Sequence, residues 1–144
     1  MHPMQRRLAA VAAAFLCAGA ASTMAMTKEE HKAENDRIES SYKAARERCN
    51  SLKDNAKDVC ISEAKGAEKV AKAELETKYK PSPRADAKLK EARAEAAYDV
   101  AKEKCDDLAG NAKDTCQKDA KAARDTARAD AKVSSRAADG GTRM

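Results

Sequence analysis

The sequence predicts an all-α protein, an elongated helical hairpin or a small helical bundle, built from two tandem helix-turn-helix repeats and stapled by two disulfides. Three observations carry that expectation. Charged residues make up 37% of the chain and aromatics only 3%, and Ala, Lys, Glu, Asp and Arg fill most positions, a composition of long helices rather than of a thick core. The less polar residues recur at spacings of three and four, the period of one helical face. A cysteine-bounded segment occurs twice, as CNSLKDNAKDVC from Cys49 to Cys60 and as CDDLAGNAKDTC from Cys105 to Cys116.

Residues 1–25 read as a secretory signal peptide, with a basic start at Arg6 and Arg7, the apolar run LAAVAAAFLCAGAA, and small residues at Thr23 and Ala25 ahead of a cut that leaves Met26 first. The run falls short of the roughly 20 apolar residues a spanning helix needs. Cys17 follows Ala14, Phe15 and Leu16, which does not fit the leucine and the small residue that a lipid-modified cysteine wants at those places. The sequence thus predicts export through the inner membrane to the periplasm or beyond.

Cleavage leaves four of the five cysteines, an even number in a compartment that oxidises thiols. The formal charge falls from +5 to +3 as Arg6 and Arg7 leave. The only Phe is Phe15 and there is no Trp, so Tyr42, Tyr79 and Tyr98 are the aromatics that remain. An ordinary ligand pocket is hard to line from this inventory, and no cofactor is indicated.

Thr27 followed by Glu30 is a capping-box start to the first helix. From there Ile38, Tyr42, Ala45, Cys49 and Leu52 form one stripe at spacings of four, three, four and three, with a Glu39–Lys43 pair on the exposed side. A break is expected between the cysteines, where Gly110 and Asn111 combine a helix-ending residue with a helix-starting one. In the first copy the glycine position holds Asp54, next to Asn55, with Asp58 and Asp114 placed to cap back. An uninterrupted helix carrying one tolerated glycine is the competing reading.

After Cys60, Ala64, Ala67, Ala71 and Leu75 share a face, and Glu68–Lys72, Glu74–Lys78 and Glu76–Lys80 pair along the other. Pro81 closes this first repeat, residues 26–80. Within the proline turn of residues 81–84, Ser82 is placed to cap and Pro83 to open the next helix. The second repeat, residues 85–132, carries Ala94, Tyr98, Ala101, Cys105 and Leu108 at an offset of 56 from the first. At that offset Tyr42 matches Tyr98, Leu52 matches Leu108, and Asn55 to Asp58 match Asn111 to Asp114, the mark of an internal duplication. Beyond Lys132 the tail VSSRAADGGTRM loses periodicity and is expected to be disordered over residues 133–144.

The signal peptide, the Ala/Lys/Glu helices and the repeated C-x10-C with Asn-Ala-Lys-Asp together resemble small exported helical repeat proteins of Gram-negative bacteria. These are often labelled TolA-like for their alanine- and lysine-rich helices. The resemblance covers nearly the whole mature chain and implies an envelope location, with no catalytic residues to carry over.

Four cysteines can pair in three ways. On a straight helix, residues 49 and 60 would stand about 16.5 Å apart, far beyond the roughly 7 Å that a disulfide spans, so a bond within each copy needs a turn near its midpoint. A duplicated unit most simply carries its own bond, which favours Cys49–Cys60 and Cys105–Cys116. The rival is one long hairpin folded at the Pro-Ser-Pro, which sets Cys49 against Cys116 and Cys60 against Cys105. Structural zinc draws on cysteine pairs two to four residues apart, and a thiol oxidoreductase on Cys-x-x-Cys. Neither spacing is present.

His31 stands among Glu29, Glu30 and Lys32 as a solvated surface residue with no nucleophile at a helical spacing. The segment KDAKAARDTARADAK alternates acids with bases and has no aromatic to stack, so it does not point to nucleic acid and leaves only weak contact with anionic envelope components. The reading is therefore a non-enzymatic exported protein of the cell envelope, a structural or protein-interaction module that binds a protein partner or itself. The alternative is a periplasmic stress-related holdase for unfolded clients.

Overall fold

A computed structural model describes residues 25–140. Four helices follow one another in it, α1 over Lys28–Cys49, α2 over Asp54–Tyr79, α3 over Pro83–Cys105 and α4 over Gly110–Gly140, and no strand occurs among the described residues. The segment read as a signal peptide lies outside them except for Ala25.

Each helix starts and stops for a local reason. At the start of α1 the Thr27 hydroxyl accepts from the Glu30 N–H at 3.1 Å, while the Glu30 carboxylate accepts from the Thr27 N–H at 2.8 Å. Two otherwise orphaned donors are satisfied together. Pro81 cannot continue α2, which ends at Tyr79. Ser82 caps α3 by accepting from the Ala85 N–H at 3.1 Å, and Pro83 takes the first helical position, where its missing N–H costs nothing.

The breaks between the cysteines form in both copies. They occupy residues 50–53 and 106–109. Asn55 and Asn111 therefore sit in the first turns of α2 and α4 rather than at the breaks. Asp54 and Gly110, which open those helices, both take the left-handed conformation, with φ of 51° and 54°. Glycine adopts it freely and aspartate at modest cost. No side-chain hydrogen bond caps the start of α2. The Asn55 amide instead donates to the Glu103 carbonyl at 2.8 Å, across to the last turn of α3.

The disulfides are Cys49–Cys60 and Cys105–Cys116, with Cα–Cα distances of 5.6 and 5.7 Å. Each turn folds one helix back on the next. The chain also folds at the Pro-Ser-Pro, setting α2 antiparallel to α3 through Arg93–Glu74 at 2.8 Å, Lys69–Asp99 at 3.7 Å and Lys104–Glu63 at 3.5 Å. A hairpin at the Pro-Ser-Pro thus forms from α2 and α3 alone, and the rival pairing of Cys49 with Cys116 and Cys60 with Cys105 does not form, because each turn between the cysteines brings its own two together and α1 does not reach α4.

Packing is sequential. α1 lies on α2, α2 on α3 and α3 on α4, and no other pair of helices meets among the described residues. The result is an open helical bundle whose buried positions are small, chiefly Ala64, Ala87, Ala94, Ala131, Cys49 and Cys105, with Leu75 the one large side chain among them. A Cβ built on Gly66 would stand 2.9 Å from that of Ala96, so the glycine sets how closely α2 and α3 approach.

Two further expectations change. Residues 133–140, read as disordered tail, continue α4, although Val133 is exposed. Helix propensity and the propagation of an existing helix carry it on without an apolar stripe. Most ion pairs read along one helix find partners across helices instead. Glu68–Lys72 forms at 2.8 Å, but Glu39 faces Lys72 at 3.6 Å, Glu74 takes Arg93, and Glu76 bonds His31 Nε2 at 2.7 Å.

Candidate functional site

Because α2 and α3 run antiparallel about the proline turn, the two cysteine-bounded turns come to the same end of the bundle. They are built alike. After Cys49 the chain tightens through Asn50 N–H to Glu47 O at 3.0 Å, Ser51 N–H to Arg48 O at 3.4 Å and Leu52 N–H to Cys49 O at 3.1 Å. After Cys105 the matching bonds run from Asp106 to Glu103, Asp107 to Lys104 and Leu108 to Cys105, at 3.1, 3.4 and 3.0 Å. Such i to i−3 bonds satisfy the last carbonyls of a helix and stop it.

That stop overturns part of the expected packing stripe. Ile38, Tyr42 and Tyr98 are half-buried, and Cys49 and Cys105 are fully buried, as the helical spacing requires. Leu52 and Leu108 are not on the stripe. They fall beyond the helix ends and stand 40% and 44% exposed. With Val133 they are the large apolar side chains exposed among the described residues. The stapled end therefore presents two leucines, each held beside a disulfide.

The electrostatics of the two turns differ. Asn50 and Ser51 are neutral where Asp106 and Asp107 carry charge. Asp106 meets Lys113 Nζ at 3.0 Å and accepts from the Gln117 amide at 3.2 Å. The bond from Lys113 holds its carboxyl below the ordinary carboxylate range, against a smaller opposing effect of lost solvation.

Elsewhere α1 is flanked by two open grooves that share Tyr42. One, of about 480 Å³, includes Lys43, Arg46 and Ile61; the other, of about 340 Å³, includes Ile38, Ala64, Ala67 and Ala71. At the place in the second half that matches Tyr42, Tyr98 lies under the Arg124 guanidinium at 4.3 Å, and Glu95 holds Arg128 at 3.2 Å. The sequence reading missed this clasp, although an arginine at 124 where the first copy has Glu68 was its signal.

All four described cysteines are oxidised, so none offers a thiolate. Among the described residues no three His, Cys, Asp or Glu side chains converge as a metal-holding group. His31, read as a solvated surface residue, is instead a contact between helices, bonded to Glu76 with its ring 4.4 Å from that of Tyr79 and its side chain 23% exposed. No helix among the described residues is long and apolar enough to cross a membrane.

No family model, no curated protein and no solved structure matches the chain.

Proposed function

We propose that the chain is an exported, non-enzymatic protein of the cell envelope, a duplicated helical unit that acts as a protein-interaction module through its stapled end. The observation that carries this reading is the exposure of Leu52 and Leu108 at matching places on two covalently fixed turns. An apolar side chain on a rigid turn enters a partner's surface with little loss of conformational freedom, the condition under which burial converts into affinity. The disulfides are compatible with an oxidising, non-cytoplasmic compartment, and the resemblance to small TolA-like exported proteins points the same way.

Site-specific photo-crosslinking tests the contact surface. A photoreactive residue at 52 or 108 in the full chain, expressed in a Gram-negative cell, is expected to give a discrete adduct in the envelope fraction, with a probe at Lys32, exposed at the opposite end of α1, giving none. Equal adduct patterns at all three positions remove the stapled end from this role.

The holdase reading draws on a separate observation. Leu75 and Ala64 are buried, at 3% and 7% exposure, and Ala64 lines the groove beneath α1, a helix whose turn into α2 is closed by Cys49–Cys60. Reduction frees α1 to uncover that face. Suppression of a model client's aggregation by reduced but not oxidised protein supports it, and no suppression in either state dismisses it.

A further inference from the structure

At the end opposite the staples, the proline turn brings cations from two helices around one groove. Its volume is about 330 Å³, at the lower end of the range of small-molecule sites, and Lys72 and Lys80 of the α2 side face Arg84 and Lys88 of α3 across it. Arg84 and Lys88 are four residues apart on one helix, a like-charge pair that an isolated helix disfavours.

Among the described residues the carboxylates match only one of these four cations. Glu76, the acid lining the groove, is bonded to His31 at 2.7 Å. Lys72 is matched by Glu68 at 2.8 Å and Glu39 at 3.6 Å. Among the described residues no carboxylate stands within ion-pair distance of Lys80, Arg84 or Lys88; the Lys80 ammonium rests 5.0 Å over the Tyr79 ring. The groove also opens at the start of α3, where the helix dipole is positive. By contrast Arg124, Arg128 and Lys121 on α4 are each matched by Glu95 or Asp125.

We propose that this hinge groove binds a phosphate-bearing anion, a phosphomonoester or a diphosphate, whether soluble or carried on a lipid headgroup. The Arg84 guanidinium offers a planar fork that matches two phosphate oxygens, and Lys80 and Lys88 supply point charges on either side. A phosphate group carries close to two negative charges at neutral pH and offers three acceptor oxygens, which suits three uncommitted cations better than a single carboxylate does. The site is independent of the contact role given to the stapled end.

The test uses the full chain with both disulfides formed, and two probes: soluble pyrophosphate followed by calorimetry, and vesicles of roughly one part phosphatidic acid to three of phosphatidylcholine followed by co-sedimentation. Two triple variants remove the same net charge, Lys80→Gln with Arg84→Gln and Lys88→Gln at the groove, and Arg48→Gln with Lys57→Gln and Lys118→Gln away from it. The groove triple is expected to bind about 100-fold more weakly, three charges each contributing about a factor of five near an anionic surface. The distant triple is expected to bind nearly as the unaltered chain does.

Circular dichroism establishes that both variants keep the helices. Binding of pyrophosphate assigns a soluble ligand, and binding of vesicles alone assigns a headgroup. Equal weakening of the two triples, or no binding of either probe by the unaltered chain, overturns the proposal.

Discussion

The two ends of this molecule turn the chain by different means. At the hinge end Pro81, Ser82 and Pro83 stop one helix and start the next with one side-chain cap and no covalent bond. At the stapled end neither turn contains a proline, Asp54 opens α2 in the left-handed region, and α2 has no side-chain cap. There a disulfide closes each turn. Turn chemistry that is strong by itself needs no crosslink. A turn that asks a residue with a Cβ to adopt a positive φ gains from one, because the crosslink removes open conformations from the unfolded chain.

That contrast can be broken by removing the crosslinks. Replacing Cys49 and Cys60 together by Ser is expected to lower stability by about 3 kcal/mol, the chain-entropy value for closing so short a loop. The Cys105 and Cys116 pair should behave alike. Chemical denaturation of each double variant under oxidising conditions measures it. A loss below that of Ser82→Ala, which removes the hinge cap, shows that the staples only decorate turns the sequence already makes.

Between the two ends, Gly66→Ala tests the packing that joins them. Its Cβ would meet that of Ala96 at 2.9 Å, so α2 and α3 must separate, at a cost of about 2 kcal/mol from overpacking. The change registers as a lower thermal midpoint with both disulfides intact.

Smaller effects compare the turns themselves. Ser82→Ala at the hinge should cost about 1 kcal/mol through the lost cap. At the stapled end Gly110→Ala should cost about as much, roughly 1 kcal/mol for a left-handed residue with a Cβ. Asp54→Gly should run the other way and stabilise by a few tenths of a kcal/mol, since it removes that Cβ from the matching position. Melting of the three single variants ranks them, and a destabilising Asp54→Gly denies that the positive φ is what strains the first turn.

The weakest effect is set by acid. Asp106 and Asp125 both have carboxyls held below the ordinary value of 3.8, the first by Lys113 and the second by Arg124 and then Lys121. A depressed carboxyl contributes stability that is present above its unfolded value and lost as pH falls through the folded one. Both groups lie in the second half, so the protection of amides in α3 and α4, taken relative to their intrinsic exchange rates, should fall before that in α1 and α2 as pH drops below about 4.

Much of this was legible in the sequence because the signals act over a few residues. Thr27 with Glu30, and Pro81 with Ser82 and Pro83, gave helix ends that the structure matches. The duplication of the cysteine-bounded segment favoured the pairing that forms, with a turn near each midpoint as its condition. Leu52 and Leu108 were misplaced because their spacing from Cys49 and Cys105 fits a helix that has already ended. The partners of Glu39, Glu74 and Glu76 were misread because a neighbour four residues away on the same helix competes with cations from a neighbouring helix. The hinge groove was missed for a related reason, since Lys72 lies on α2 and Lys80 just past its end, and the cations across from them belong to α3.

The sequence by itself determined that the chain is helical, where it turns at the proline hinge, and that its cysteines call for tight turns, since capping, proline geometry and bond reach are properties of short segments. Only the tertiary structure decided between the local staples and the cross-hairpin pairing, and that α2 and α3 pack antiparallel about the proline turn, which gathers both leucine-bearing turns at one end and sets cations from either side of that turn around a groove at the other. The reason is that antiparallel packing joins residues tens of positions apart, and which faces meet depends on where small residues such as Gly66 and Ala96 let two helices approach.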